Sequence, residues 1–172
     1  MRKVKKFKLT SEFIVDISGV KLFRIKALIE FGNVKAGDLG GYIEKEENLS
    51  HMGNAWVFGD ARVFGNAWVS GNAQVFGNAR VSGNARVSGD AWIYGDARVS
   101  GDKDYAYAHG FGSCNRTTTF FRLKDGDVGV RCGCFYGTLA QFRDKVCETH
   151  GETKKAQEYL MLADLMEIRF KN

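Results

Sequence analysis

The 172-residue chain contains no proline, only four cysteines and only three histidines. A proline-free sequence suits a fold of stacked backbone ladders, in which a residue without an N–H would cost a hydrogen bond. Cys114, Cys132, Cys134 and Cys147, in a chain without a recognisable secretory signal, read as reduced thiols in a cytoplasm. The basic start, Met1 to Lys8, has no apolar stretch behind it of the kind a secretory signal carries. No apolar run approaches ~18 residues, which excludes a membrane-spanning helix. An acidic excess is missing too. The net charge of +5 excludes a mimic of DNA, which would have to be strongly acidic.

What is present is enough for a core. Hydrophobic residues make up 44% and aromatics 13%, which excludes wholesale disorder. The length fits one or two small domains. Residues 1–53 carry 10 basic and 7 acidic side chains, residues 54–102 carry 4 and 4, and residues 103–172 carry 11 and 9. Five of the first eight residues are Lys or Arg. That basic segment reads either as a solvated tail or as an attractor of phosphates.

Residues 54–101 determine the architecture. They read NAWVFG DARVFG NAWVSG NAQVFG NARVSG NARVSG DAWIYG DARVSG, eight hexads without a slip. A fixed short period is the signature of a solenoid. Side chains alternate along a strand, so Ala55 and Val57 face one way while Trp56 and Phe58 face the other. The small and β-branched set, from Ala55 and Val57 to Ala97 and Val99, must be the interior. Gly59, Gly65 and their equivalents, each followed by Asn or Asp, supply tight corners, because both residue types tolerate positive φ.

With this pattern the chain resembles the hexapeptide-repeat family, whose fold is a left-handed parallel β-helix with three hexads per triangular coil. The resemblance implies the handedness. At ~18 residues per coil, equivalent outward positions stack at about the 4.8 Å strand spacing. Three columns result. One carries Trp56, Gln74 and Trp92 beside Phe58, Phe76 and Tyr94. A second carries Arg62, Arg80 and Arg98, and a third Trp68 and Arg86. Trp56, Phe58, Phe76, Trp92 and Tyr94 form a patch of the size soluble monomers seldom expose, and are read as an oligomer interface. Cover by the chain's own C-terminal part is the alternative. Family members are commonly trimers, so the resemblance implies a homotrimer. The arginine column needs either hydration or an opposing anion, since three stacked guanidinium groups repel one another.

On the N-terminal side, Lys21–Phe31 reads as a strand that pairs with Phe13–Ile17 through a Ser18–Gly19 turn. Residues 37–53 read as an irregular first coil that caps the solenoid. Glu44, Glu46 and Glu47 are expected on its solvated edge. The string GGYIEKEENLSHMGNAWVFG, residues 40–59, is similar to small hexapeptide-repeat proteins of phages and prophages, with the likeness spanning about residues 30–100. It implies a viral or mobile-element origin and the cytoplasm of a bacterial host, and brings no assigned activity.

On the C-terminal side, Thr117–Leu123 and Val128–Cys134 read as strands joined by a turn at residues 124–127. Thr138 and Gln141 form a capping box for a helix to about Thr149, with Leu139, Phe142 and Val146 on one face. Gly151 ends it. A second helix from Thr153 turns Tyr159, Leu162, Ala163, Met166 and Phe170 inward. The expected fold class is therefore mainly β: N-terminal strands and capping coil over 1–53, a short left-handed parallel β-helix over 54–102, and a small α+β module, ββαα, over 103–172.

Candidate chemistry concentrates in AHGFGSCNRTTT, residues 108–119. Gly110 and Gly112 allow backbone amides to converge, Ser113, Asn115, Thr117, Thr118 and Thr119 are short donors, and Arg116 is a planar cation, all suited to holding an anion. Arg122, Arg131, His150 and Lys154 are the further contacts, and Tyr105, Tyr107 and Phe111 could stack on a base. A plain connection from solenoid to hairpin is the competing reading. The segment is neither a P-loop nor a dinucleotide fingerprint. Cys132 and Cys134 with Cys114 or His109 match a zinc site poorly, and Cys147 near His150 lacks an orienting acid for catalysis. No metal, cofactor or catalytic residue is expected.

These readings favour a non-enzymatic oligomeric protein that binds an anionic small ligand, most naturally a nucleotide, as a phage protein sequestering a host immune signal would. Two other classes remain. Many hexapeptide-repeat proteins transfer acyl groups with a general-base histidine on a loop that interrupts the helix. Here the hexads run unbroken, leaving only His51 or His109 for such a role. A structural or partner-binding phage component is the third reading.

Overall fold

A computed structural model describes residues 4–113 and 115–171. It is mainly β, with a solenoid of about three turns, a C-terminal antiparallel sheet and two terminal helices. The chain opens with β1 (Phe7–Val15) and β2 (Lys21–Ala27), an antiparallel hairpin, followed by β3 (Leu39–Ile43). β1 starts earlier than the alternation suggested, and β2 ends before Phe31, which bridges to Val34 in a turn. Residues 37–53 do form the first coil: β3 runs parallel to the following coil, and Leu49 bridges to Val69.

Each hexad then contributes one two-residue strand: β4 (Trp56–Val57), β5 (Arg62–Val63), β6 (Trp68–Val69), β7 (Gln74–Val75), β8 (Arg80–Val81), β9 (Arg86–Val87), β10 (Trp92–Ile93) and β11 (Arg98–Val99). They stack into three parallel walls, β4–β7–β10, β6–β9 and β3–β5–β8–β11, the last extended by β2 and β1. Trp56 lies over Gln74 and Trp92, and Arg62 over Arg80 and Arg98, as the period requires. The bore is dry. Every repeat Ala and every Val or Ile of the fourth hexad position is at most 1% exposed, and each buried Val or Ile contributes about 1.5–3 kcal/mol. The corner glycines from Gly59 to Gly95 have positive φ.

A stack of parallel coils leaves unpaired backbone groups at both ends, and here the chain satisfies several of them itself. At the first coil, the Lys6 ammonium donates to Ala55 O at 2.7 Å and Gly53 O at 3.3 Å, and Arg24 Nη1 donates to Gly40 O at 2.7 Å. Lys6 is 1% exposed, and burial lowers its ammonium from the usual value to about 8. So the basic segment is not simply a solvated tail: Lys6 is an end plug, while Lys5 pairs with Glu46 at 2.9 Å. Glu44, expected at a solvated edge, accepts from Gly65 N at 2.6 Å. At the last coil, Arg86 N donates to Asp102 Oδ1 at 2.8 Å and Trp92 N to Thr119 Oγ1 at 3.0 Å.

The C-terminal module has four strands where two were expected: β12 (Tyr105–Phe111), β13 (Arg116–Arg122), β14 (Val128–Cys132) and β15 (Phe135–Thr138), in that spatial order. β14 stops short of Cys134 because Gly133 and Cys134 make the turn into β15. Helices α1 (Leu139–His150) and α2 (Lys154–Phe170) cover one face. Thr138 and Gln141 form the expected capping box, and Gly151 closes α1 with positive φ. Leu139, Phe142, Val146, Tyr159, Ala163, Met166 and Phe170 are buried as the periodicity requires, while Leu162 is only partly so. Arg143 ties the helices together through Asp164 and Glu167. The other face of the sheet, with Tyr105 and Phe121, joins the solenoid core. The sheet is thus the lid of the last coil and the floor of the helix pair. No helix among the described residues is long and apolar enough to cross a membrane.

Candidate ligand-binding cleft

Strand alternation sorts the predicted contacts before any ligand is considered. On β13, Phe120 packs with the helices and Phe121 with the solenoid, so Thr118 and Thr119 likewise face opposite ways. Thr118 is buried and donates to Cys132 Sγ at 3.2 Å. Arg122 is at the far end of the strand, holding Asp104 at 3.3 Å and Phe170 O at 3.1 Å. Both are structural and leave the candidate set. Lys154 is exposed at the start of α2 and lines neither of the cavities described here.

The polar loop is partly occupied by the protein's own groups. Gly112 N donates to Glu158 Oε2 at 2.7 Å and Ser113 N to the Tyr159 hydroxyl at 2.9 Å. The convergent amides expected to grip an external anion are therefore spent on α2. Burial raises the Tyr159 hydroxyl's pKa, and the Ser113 contacts oppose this only in part. Asn115 is exposed, with φ +46° in the turn between β12 and β13. Cys114 lies outside the described residues.

Arg116, Thr117 and Arg131 do come together. They line a cleft of about 440 Å3 between the C-terminal sheet and the last coil of the solenoid. The solenoid wall supplies Asp90 and Trp92, and the sheet wall adds Gly133 and Cys134. Arg131 lies over two rings, 4.8 Å from the Tyr94 centroid and 5.5 Å from that of Trp92. Its Nε is buried with no hydrogen-bond partner among the described residues. Neither Arg116 nor Arg131 has an ion pair among the described residues. Asp90 Oδ1 is engaged by Asn72 at 3.1 Å. Two unpaired guanidinium groups beside a part-exposed indole can hold a group that is both anionic and flat.

The aromatic column divides among several partners. Trp56 is 1% exposed, enclosed by Phe7 and Phe31, so it belongs to the core and is withdrawn from the candidate interface. Phe58 and Phe76 stack at 4.4 Å and are half-buried. Tyr94 meets Tyr136 at 4.9 Å. Trp92, 37% exposed, is in the cleft. Sequence reasoning placed Trp92 in an interface and passed over Asp90. The available signal was position: both sit in the last full coil, where no further hexad covers them.

The arginine column has its anion inside the chain. Asp16, in the β1–β2 turn, has a fully buried carboxylate that pairs with Arg62 at 3.1 Å and with Arg80. Burial pushes the Asp16 carboxyl up, but the Ser18 hydrogen bond and the Arg80 and Arg62 guanidinium groups outweigh it and hold it below the usual value. Arg98 turns to backbone carbonyls of Asn78 and Ala97, and burial, with Arg80 nearby, lowers its pKa.

The histidines are placed apart. His51 stacks on Phe7 at 4.2 Å and accepts from Lys6 N at 3.2 Å. His109 is exposed, with Nδ1 2.9 Å from Thr117 Oγ1 at the edge of the cleft. His150 packs against Tyr159. Among the described residues no cluster of His, Cys, Asp and Glu could hold a metal ion.

Comparison with known proteins addresses the repeat. The family described as the YdcK beta solenoid repeat matches residues 53–71, 73–89 and 79–94. The match ends within the last hexads, before the C-terminal sheet that supplies the other cleft wall. No curated protein matches the chain.

Proposed function

We propose that this protein is a non-enzymatic binder of a small anionic ligand bearing a flat ring, a nucleotide, held in the cleft between the last coil and the C-terminal sheet. The observation that carries the reading is the pair Arg116 and Arg131, both without a carboxylate partner among the described residues, lining one cleft with Trp92. A phosphate on the two guanidinium groups would satisfy charge that the described residues leave unpaired. The indole gives the base a face to stack on. Asp90 repels phosphate, which favours a sugar hydroxyl or an amino group on the solenoid wall and the phosphate on the sheet wall. The volume lies in the usual range for small-molecule sites.

Self-association belongs to the same proposal. Phe58 and Phe76, half-buried in the protomer, support a homo-oligomer, a trimer by likeness to hexapeptide-repeat proteins. In its most specific form the reading is a phage protein in the bacterial cytoplasm that sequesters a host nucleotide signal. The test is a thermal-shift screen against linear and cyclic nucleotides. The expected result is stabilisation of about 3 kcal/mol at a hundredfold excess over Kd, falling to about half of that or less in Arg131→Ala. No shift with any nucleotide would overturn it. Acyl transfer has weaker support, because His51 is engaged by Phe7 and Lys6 in the cap.

A further inference from the structure

Arg116 does not serve one cavity alone. Arg116 and Cys134 line the cleft and also a second hollow of about 170 Å3, on the helix side of the sheet. The Gly133–Cys134 turn stands where the two meet, and a Cβ at Gly133 would lie 2.1 Å from Arg116 Nη1. The hollow's floor is aromatic and apolar, with Phe135, Phe142 and Tyr159, and its rim carries Lys145 and His150. Lys145 makes an exposed contact to Glu148 at 3.5 Å.

Two compartments that share a guanidinium call for a ligand with two flat groups joined through an anion. A mononucleotide would fill the cleft and leave the aromatic hollow wet. We infer that the ligand is a dinucleotide: one base on Trp92 in the cleft, the linking phosphate at Arg116, and the second base in the hollow between β15 and α1. The hollow is of the right order for the six-membered ring of that base, since a cavity of about 150 Å3 admits one such ring. Thr149, also on its wall, offers a hydroxyl to ring nitrogens and exocyclic groups, while the Ser113 hydroxyl is 3.2 Å from that of Tyr159. Lys145 adds a cation on the side where a second phosphate of a cyclic dinucleotide would lie. The inference rests on the nucleotide reading above and extends it to a second compartment.

The experiment is calorimetric titration of the full chain with AMP, with the linear dinucleotide pApA and with cyclic di-AMP. At least one dinucleotide should bind about tenfold or more tightly than AMP, the increment of one further stacked base. Thr149→Trp, which fills the hollow from the exposed surface of α1, should erase that advantage. Lys145→Glu should weaken the dinucleotide at least threefold, and it covers the case in which the tryptophan variant fails to fold. Equal affinity for AMP and both dinucleotides, or an advantage that survives Thr149→Trp, overturns this inference and leaves the nucleotide reading standing. Binding of none of the three overturns both.

Discussion

Asp16 shows how one residue can set the position of an element. Its carboxylate is buried in a hairpin turn and faces two guanidinium groups of the solenoid wall. Removing one partner of such a set leaves charge unpaired, so Asp16→Asn should destabilise the protein by about 3 kcal/mol in chemical denaturation. The pH dependence follows from the lowered pKa. Between the folded and unfolded values the unfolded chain binds the proton and the folded chain does not, so this contribution grows with pH. It is complete above the unfolded value near 3.9 and disappears as pH falls through the folded value. Wild type and Asp16→Asn should therefore differ at pH 7 and converge in strong acid. A difference unchanged by acid would contradict the ion-pair account. None of this pairing was legible in the sequence. Stacked arginines called for either hydration or an opposing anion, but the anion came from a turn 46 residues before Arg62, and only the path of the chain decides where that turn lands.

At the scale of elements, legibility depended on periodicity. The hexad fixed the facing of every solenoid strand because alternation and coil stacking are properties of neighbouring residues. β12 and β15 were missed for the opposite reason. Tyr105–Phe111 alternates Tyr with Ala and then runs into glycines, which read as a flexible loop, and Phe135–Thr138 is short and follows Gly133. Alternation along β13 was available, and would have separated Thr118 from Thr119. The corners offer a sharper test. A Cβ at Gly83 would stand 2.3 Å from Ser100 O, whereas one at Gly59 meets nothing within 4 Å, and both glycines have φ near +60°. Gly59→Ala should cost only the left-handed backbone penalty of about 1–2 kcal/mol. Gly83→Ala should cost clearly more, because the next coil must move. Equal unfolding free energies for the two variants would mean that the coils are not stacked in this register.

On the scale of the whole molecule, the two ends of the solenoid are sealed by different parts of the chain. The N-terminal hairpin plugs carbonyls with Lys6 and Arg24, and the C-terminal sheet meets the last coil through Thr119 and Ala97. The second joint leaves room. The sheet rests on the coil through Tyr105, Phe121 and Tyr136, and the cleft opens against Trp92 and Asp90 where β13 starts and β14 turns into β15, at Arg116, Thr117, Arg131, Gly133 and Cys134. The candidate site is thus a consequence of how the solenoid is closed, which is why hexad arithmetic foresaw some of its residues but not their assembly.

Tryptophan emission during nucleotide titration tests that account most directly, because Trp92 is the indole in the cleft while Trp56 is buried in the core. Saturable quenching that disappears in Trp92→Phe and is weakened at least about tenfold in Arg131→Ala is the predicted result. Saturable quenching that persists in Trp92→Phe, or nucleotide binding that leaves the emission unchanged, would contradict it.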